Sequence, residues 1–475
     1  MSVVARALLA IALLVGYLVT AAVLVFGLVL AAVLILNERV DGAGLKALAF
    51  ALLVGTAVVV SVWRALLHRP PVHTGVTVDR STAPDLWEMV DALCARLRCR
   101  APDELRLVPE ANAYMYEPRR LLGLLGGRRY LYIGAGLLVG LTSDQLRFIL
   151  AHELGHHAHG DSRLAGLTYA CWEAIEDAVR GAGVPWGVLL NGYHWLYRRV
   201  SLSVLRYQEH LADLNAAALT GKDTAVGALR RAHALDEAWW LFVQQYAAVT
   251  VDGVPLTGVT EGFKGFLQHS VSAPSQGSST HAAKASPWDT HPLLEERIGV
   301  IEAAGSDSSR RPADHRPATA LTPFLGRYDE ALDAQTLRTV RTVRTPGTPF
   351  PDHAVRVARE RAQRRANALY RCAGRVLGNP QARLGDVLDL LAAGRAGDLA
   401  ALLKCARISV APVRNTAFEL REHLRDAMAL AAENSGAAHW ACTPQGPEPI
   451  GRQGPLEFTG WAGTAVTHPE KACPA

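Results

Sequence analysis

The apolar residues of the chain fall into three patterns. The first is a pair of unbroken runs near the start: Ala7 to Leu36 carries no charge, and Leu45 to Trp63 carries only Lys46. At ~1.5 Å per residue the first run exceeds the roughly 30 Å hydrocarbon core of a bilayer, so both are expected to span a membrane as helices, the first with tilt. Arg6 could open a secretory signal, but the apolar core of a signal runs to only about 7–15 residues. The second pattern is helical. Leu86, Met89, Val90, Leu93 and Leu97 recur at helical spacing and predict an amphipathic helix over 81–98. Thr142 with Gln145 three positions on reads as a capping box opening another helix, and Gly160-Asp161 reads as its stop. The third pattern is short strands at Leu105–Val108 and Tyr130–Ile133, with Gly126-Gly127 as a turn between them.

Helical periodicity continues over 164–179, 202–219 and 226–247, and again over 354–377, 384–405 and 417–432. Trp186–Val204 is apolar and aromatic, but Asn191, His194, Arg198 and Arg199 interrupt it, which favours a buried or interfacial helix over a third span. Residues 272–286 are rich in Ser, Ala and Gly and read as a loop. The expected organisation is a two-span anchor over 1–70, a catalytic domain over 71–304, a Pro/Arg-rich linker or arm over 305–350, and a helical C-terminal region over 351–475 whose end is irregular. The fold class that follows is mainly α with a small β-sheet, an α+β arrangement.

Composition adds two exclusions. A net charge of +5 over 475 residues gives no electrostatic case for a nucleic-acid partner. Lysine appears only at Lys46, Lys222, Lys264, Lys284, Lys404 and Lys471, so arginine dominates the 49 basic residues. The 7 cysteines are scattered, odd in number and without a CxxC pair, which fits reduced thiols in a cytosolic domain better than a secreted disulfide framework. Arg6, Arg64 and Arg69 outweigh Arg39 and Lys46 of the intervening connector, which points both termini to the cytoplasm.

The chemistry lies in His152-Glu153-Leu154-Gly155-His156. Histidines at i and i+4 share one helix face and can hold one metal ion, and the Glu at i+1 can reach a water on it. Zinc lowers the pKa of that water towards about 7, and Glu153 would take its proton and pass it to the leaving amine. His157 and His159 project from other faces and read as surface residues. A catalytic zinc needs a third protein ligand. The metzincin arrangement would require Gly and His at 159 and 162, where this chain has His159 and Ser162. Two later segments offer Glu-x-x-x-Asp on one helix face, Glu173 with Asp177 and Glu209 with Asp213, and spacing does not choose between them.

Arg206-Tyr207-Gln208-Glu209-His210-Leu211-Ala212-Asp213 resembles the RxxExxAD segment of the membrane zinc endopeptidases that include HtpX and the CAAX prenyl proteases. Gly136-Leu137-Leu138 through Ala151–His156, Asn112-Ala113-Tyr114 and Thr290–Ile298 resemble three further ordered segments of that family. The resemblance covers the middle half of the chain. It implies one Zn2+ per chain on His152, His156 and Glu209, with Asp213 behind them and Arg206 and Arg297 as buried partners of the acidic residues. It further implies that Asn112 and Ala113 sit on an edge strand pairing with substrate backbone, and that His291 donates to substrate or to the developing oxyanion. Members of the HtpX type carry more spans between the two metal-binding helices than this chain offers, so a two-span variant is expected.

The implied partners are polypeptide substrates, membrane proteins among them, and the lipid bilayer of a bacterial cell membrane, with the peptidase domain cytoplasmic. Two rivals remain. An antirepressor-type peptidase also uses HExxH in a membrane protein, but the Thr290–Ile298 segment and the lack of an appended Ser-x-x-Lys domain disfavour it. A zinc-binding scaffold with an Arg-rich arm on anionic lipid would have no need of Glu153.

Overall fold

The computed structural model describes residues 74–118, 127–157, 205–272 (less 253 and 255), 292–304, 314–340, 348–405 and 416–467 (less 444, 445 and 453), with scattered positions between 12 and 56 and at 195 and 202. The expected spans 7–36 and 45–63, the segments 164–179 and 186–204, and the loop 273–286 lie outside these residues or are represented by isolated positions. Among the described residues no helix is long and apolar enough to cross a membrane. The described residues are mostly helical, with three small sheets of four, two and three strands among them. Two compact units divide it: residues 1–237 with 277–332, and residues 238–276 with 333–475.

The first unit is built around a sheet of order β1-β2-β4-β3, where β1 is Val76–Thr77, β2 Glu104–Val108, β3 Ala113–Tyr116 and β4 Tyr130–Gly134. The central strand β4 is buried at all five positions, as a strand covered on both faces must be. β2 and β4 run parallel and therefore form no hairpin. β3 separates them in sequence and pairs antiparallel on the far side of β4, at the sheet edge. That edge position was implied only for its first residues. Tyr114 stacks on Tyr132 across the pair at 4.7 Å between ring centres.

Helix Pro84–Leu97 packs Leu86, Val90 and Leu93 into the core of this unit. Helix Ser143–Gly155 adds Leu146, Phe148, Leu150 and Leu154, all fully buried. Its start is the predicted capping box: Gln145 N–H donates to Thr142 Oγ1 at 3.3 Å, and Thr142 N–H donates to Gln145 Oε1 at 3.1 Å. Its regular turns end at Gly155, with His156 as C-cap still in helical conformation, earlier than the predicted stop at Gly160-Asp161.

The stretch 305–350, read from composition as a linker or arm, is structured over much of its length. Residues 314–318 run antiparallel to 141–144 and strap the start of helix Ser143–Gly155: Ser143 N–H donates to Arg316 O at 2.8 Å and Ala318 N–H to Leu141 O at 2.9 Å. Asp144, 8 % exposed, accepts the Asp314 N–H and pairs with Arg147. Two 3-10 turns, Ala318–Leu321 and Leu325–Tyr328, and helix Asp329–Val340 follow. Pro, Ser and Arg suggest a linker because they disfavour regular ladders, yet a strap held by a few backbone bonds tolerates them.

In the second unit, helices Phe350–Leu377, Leu384–Ala392, Ala396–Cys405, Thr416–Asn434 and Phe458–Thr467 close over Leu369, Val387, Leu390, Leu399, Leu420 and Leu424. The end of the chain, expected to be irregular, contains an antiparallel sheet of three strands, Ala438–Thr443, Gly446–Gly451 and Gly454–Pro455. A second cluster joins Phe242, Tyr246, Phe263, Phe266 and Phe350, with ring centres 5.3–6.4 Å apart. Each such buried ring contributes ~1.5–3 kcal/mol, which explains why 238–276 belongs with the C-terminal helices.

Candidate metal centre

Helix Ser143–Gly155 with its C-cap, and the helix over 205–220, carry the candidate ligands. They approach through small residues: a Cβ built on Gly155 would lie 3.6 Å from Ala212. His152 and His156 present Nε2 atoms 3.2 Å apart, as one helical turn dictates. The Glu209 carboxylate closes the set, with Oε2 at 3.6 Å from His152 Nε2 and Oε1 at 3.5 Å from His156 Nε2. One donor atom from each residue lies within 4.8 Å of the others. Among the described residues this is the one group of three or more His, Cys, Asp or Glu side chains gathered in this way.

The donor chemistry fits zinc. Two imidazoles and a carboxylate form a His2Glu set that leaves a coordination position open. The tautomer is prepared for it. His152 Nδ1 donates to Asp213 Oδ1 at 2.9 Å, so once the ring gives up its second proton it is Nε2 that offers a lone pair towards His156 and Glu209. Asp213 is itself clamped by Arg297, whose Nε and Nη2 donate to its two oxygens at 2.8 and 2.7 Å. Asp213 is fully buried, His152 is 5 % exposed and Glu209 7 %.

The electrostatics follow from this closure. Burial opposes an imidazolium at His152, but the bonds to Asp213 and Glu209 prevail and push its pKa up to about 9. Burial also works against ionised Asp213, and the Arg297 and His152 bonds overcome it, holding the carboxyl below its usual range. Arg297 is raised in turn, its Asp213 bond outweighing burial.

Glu153 follows His152 on the same helix and is half-buried. Arg206, three residues before Glu209 on the same helix, is also half-buried. Asn112 is exposed and immediately precedes β3. Its side-chain Oδ1 accepts the Ala113 N–H at 2.8 Å, and its backbone O accepts the Gly134 N–H at 2.8 Å. Ala113 is buried at the first position of the edge strand. His291 and Glu173 lie outside the described residues.

Two features near the centre had no strong sequence signal. His157, expected on the surface, is mostly buried and faces Glu117, with Nδ1 at 3.9 Å from Oε2. Glu117 also pairs with Arg129 at 3.3 Å. Residues scattered over some forty positions meet here, and no spacing announces such a meeting. His210 faces Glu296 at 3.5 Å, outside the ligand group.

The sequence profile of peptidase family M48 matches residues 81–304. A Protease HtpX homolog of Pyrobaculum calidifontis is 23 % identical over 249 residues, covering 46 % of this chain and 67 % of the relative. Protease HtpX of Acinetobacter baumannii (strain AYE) is 25 % identical over 191 residues, covering 36 % and 56 %. Protease HtpX of Stutzerimonas stutzeri is 25 % identical over 274 residues, covering 52 % and 81 %. The chain thus spans between half and four-fifths of the length of the curated relatives it matches. No solved structure matches it significantly.

Proposed function

We propose that this chain, whose residues 81–304 match peptidase family M48, is a membrane-anchored zinc endopeptidase, with His152, His156 and Glu209 as ligands and Glu153 as general base. The observation that carries the reading is the convergence of three donor atoms within 4.8 Å, from buried His152 and Glu209 and half-buried His156, next in sequence to a Glu that is not among them.

A zinc ion held there would polarise the scissile carbonyl and acidify a water towards a pKa of about 7. Glu153 takes the proton of the attacking water and delivers it to the leaving amine. Asp213 keeps His152 Nδ1 protonated and the ring oriented, and Arg297 keeps Asp213 ionised. Arg206, on the helix of Glu209, is assigned to hold the same acidic face. Asn112, just before β3, and Ala113, its first residue, are assigned to substrate: β3 is the edge strand among the described residues, where an extended polypeptide can add as a further strand. His291 is assigned as a donor to the oxyanion. The apolar segments 7–36 and 45–63 support anchoring by two spans, and the flanking arginines support a cytoplasmic peptidase domain.

Two variants test the division of labour. Glu153→Gln should retain wild-type zinc content and melting behaviour while peptide hydrolysis falls by roughly 10²–10⁴. His152→Ala should lose zinc and hydrolysis together. Wild-type cleavage of casein by Glu153→Gln protein would overturn the mechanism. A zinc-loaded wild type that cleaves nothing across a broad substrate panel would favour the scaffold.

A further inference from the structure

Helix Pro84–Leu97 ends in an unusual way. Arg98 at its C-cap takes a left-handed conformation, φ 54° and ψ 40°, which glycine or asparagine normally supplies. The turn carries Cys99 back over the helix end, where its N–H donates to Cys94 O at 3.0 Å. Residues five apart would diverge on a continued helix, but this left-handed closure with its backbone bond folds the Cys99 side chain back beside that of Cys94, near enough for each thiol to perturb the other. Cys94 is 4 % exposed, whereas Cys99 is half-buried and within reach of solvent. Their chemistry is divided accordingly. The contact with Cys99, with burial behind it, pushes the Cys94 thiol up. The same contact, opposed by burial and aided by the Arg129 guanidinium, lowers Cys99.

We propose that Cys94 and Cys99 form a redox-modification site that closes reversibly to a disulfide by exchange with a low-molecular-weight, carboxylate-bearing disulfide. The Cys99 thiolate attacks one sulfur of that disulfide and releases one small thiolate, which takes up a proton. The Cys94 thiol then loses its proton, attacks the Cys99 sulfur of the mixed disulfide and releases the second small thiol. One small disulfide and two protein thiols become one protein disulfide and two small thiols, so the electrons balance without another oxidant. Exposed Arg96, Arg98 and Arg100 flank Cys99 and suit an anionic reagent. The ring closed is short, so it gains little from the unfolded chain and stays reducible. This inference does not depend on the peptidase reading.

The test uses the full chain in detergent micelles, reduced and then exposed to oxidised glutathione, quenched with an alkylating agent and read by peptide mass spectrometry. The expected product is a Cys94–Cys99 linkage that forms before modification of the other cysteines. Cys99 should react at least about threefold faster than Cys442, a thiol of similar exposure raised by burial. Cys94→Ser should trap one glutathione on Cys99, and Cys99→Ser should leave Cys94 unmodified. Equal rates at Cys99 and Cys442, or no trapped adduct in folded Cys94→Ser protein, would overturn the proposal.

Discussion

Replacing Asp213 by Asn separates the metal-binding role of this buried carboxylate from its structural one. Asp213 is fully buried, receives His152 Nδ1–H at 2.9 Å and takes both Arg297 bonds at 2.7 and 2.8 Å. Asn keeps one acceptor and loses the charge. At the metal, loss of the group that fixes the His152 ring should weaken zinc binding about 10–100-fold, equivalent to ~1.4–2.8 kcal/mol. In the fold, the guanidinium of Arg297, with 17 % of its side chain exposed, faces a neutral partner. Removing one member of a buried pair costs ~3–5 kcal/mol. The remaining Asn acceptor and the partial exposure of Arg297 bring the expected loss to or below the bottom of that range, ~2–3 kcal/mol. The metal-free variant should therefore melt well below metal-free wild type, and saturating zinc should not restore the difference. Competition with a fluorescent chelator gives the affinity, and calorimetry with and without zinc gives the stability. Wild-type zinc affinity within threefold, in a folded Asp213→Asn protein, would refute the orienting role.

Other outcomes follow from the same geometry. Glu209→Ala should lose zinc and hydrolysis together while Glu173→Ala keeps both, as read by metal analysis and a peptide assay. Zinc must displace the proton that His152 holds up to about pH 9 in the metal-free site. Affinity should therefore rise about tenfold per pH unit from 7 towards 9 and then level off; a flat titration profile would contradict the buried proton. Burial holds His353, fully inaccessible and bonded to Tyr246 O, below the usual histidine range. Its folded pKa being depressed, stability should be complete above about 6.5 and fall as pH drops below it, and His353→Gln should flatten that acid slope in thermal melts. A Cβ on Gly134 would stand 2.0 Å from Glu110 O and 2.6 Å from Asn112 O. Gly134→Ala should force β3 away from β4 and lower stability by ~1–3 kcal/mol, which a thermal melt would detect.

What the sequence determined by itself is what neighbouring residues decide. His152 and His156 share a face because a helix repeats every ~3.6 residues. Thr142 and Gln145 cap their helix because each reaches only the other's backbone. Helices 84–97, 350–377 and 416–434 follow from apolar periodicity that burial then satisfies. Spacing could not choose Glu209 over Glu173, since either carboxylate sits on a plausible helix face, and only the packing of the 205–220 helix against Gly155 brings Glu209 to the imidazoles. The Asp213–Arg297 clamp joins residues 84 positions apart, a distance at which no local pattern operates. The parallel pairing of β2 with β4 required β3 to be accommodated at the sheet edge, where the sequence offered only a turn at Gly126-Gly127 between two short strands. Residues 314–318 have the composition of a linker, and they became a strap because the backbone groups at the start of helix Ser143–Gly155 needed partners that only a distant segment could supply.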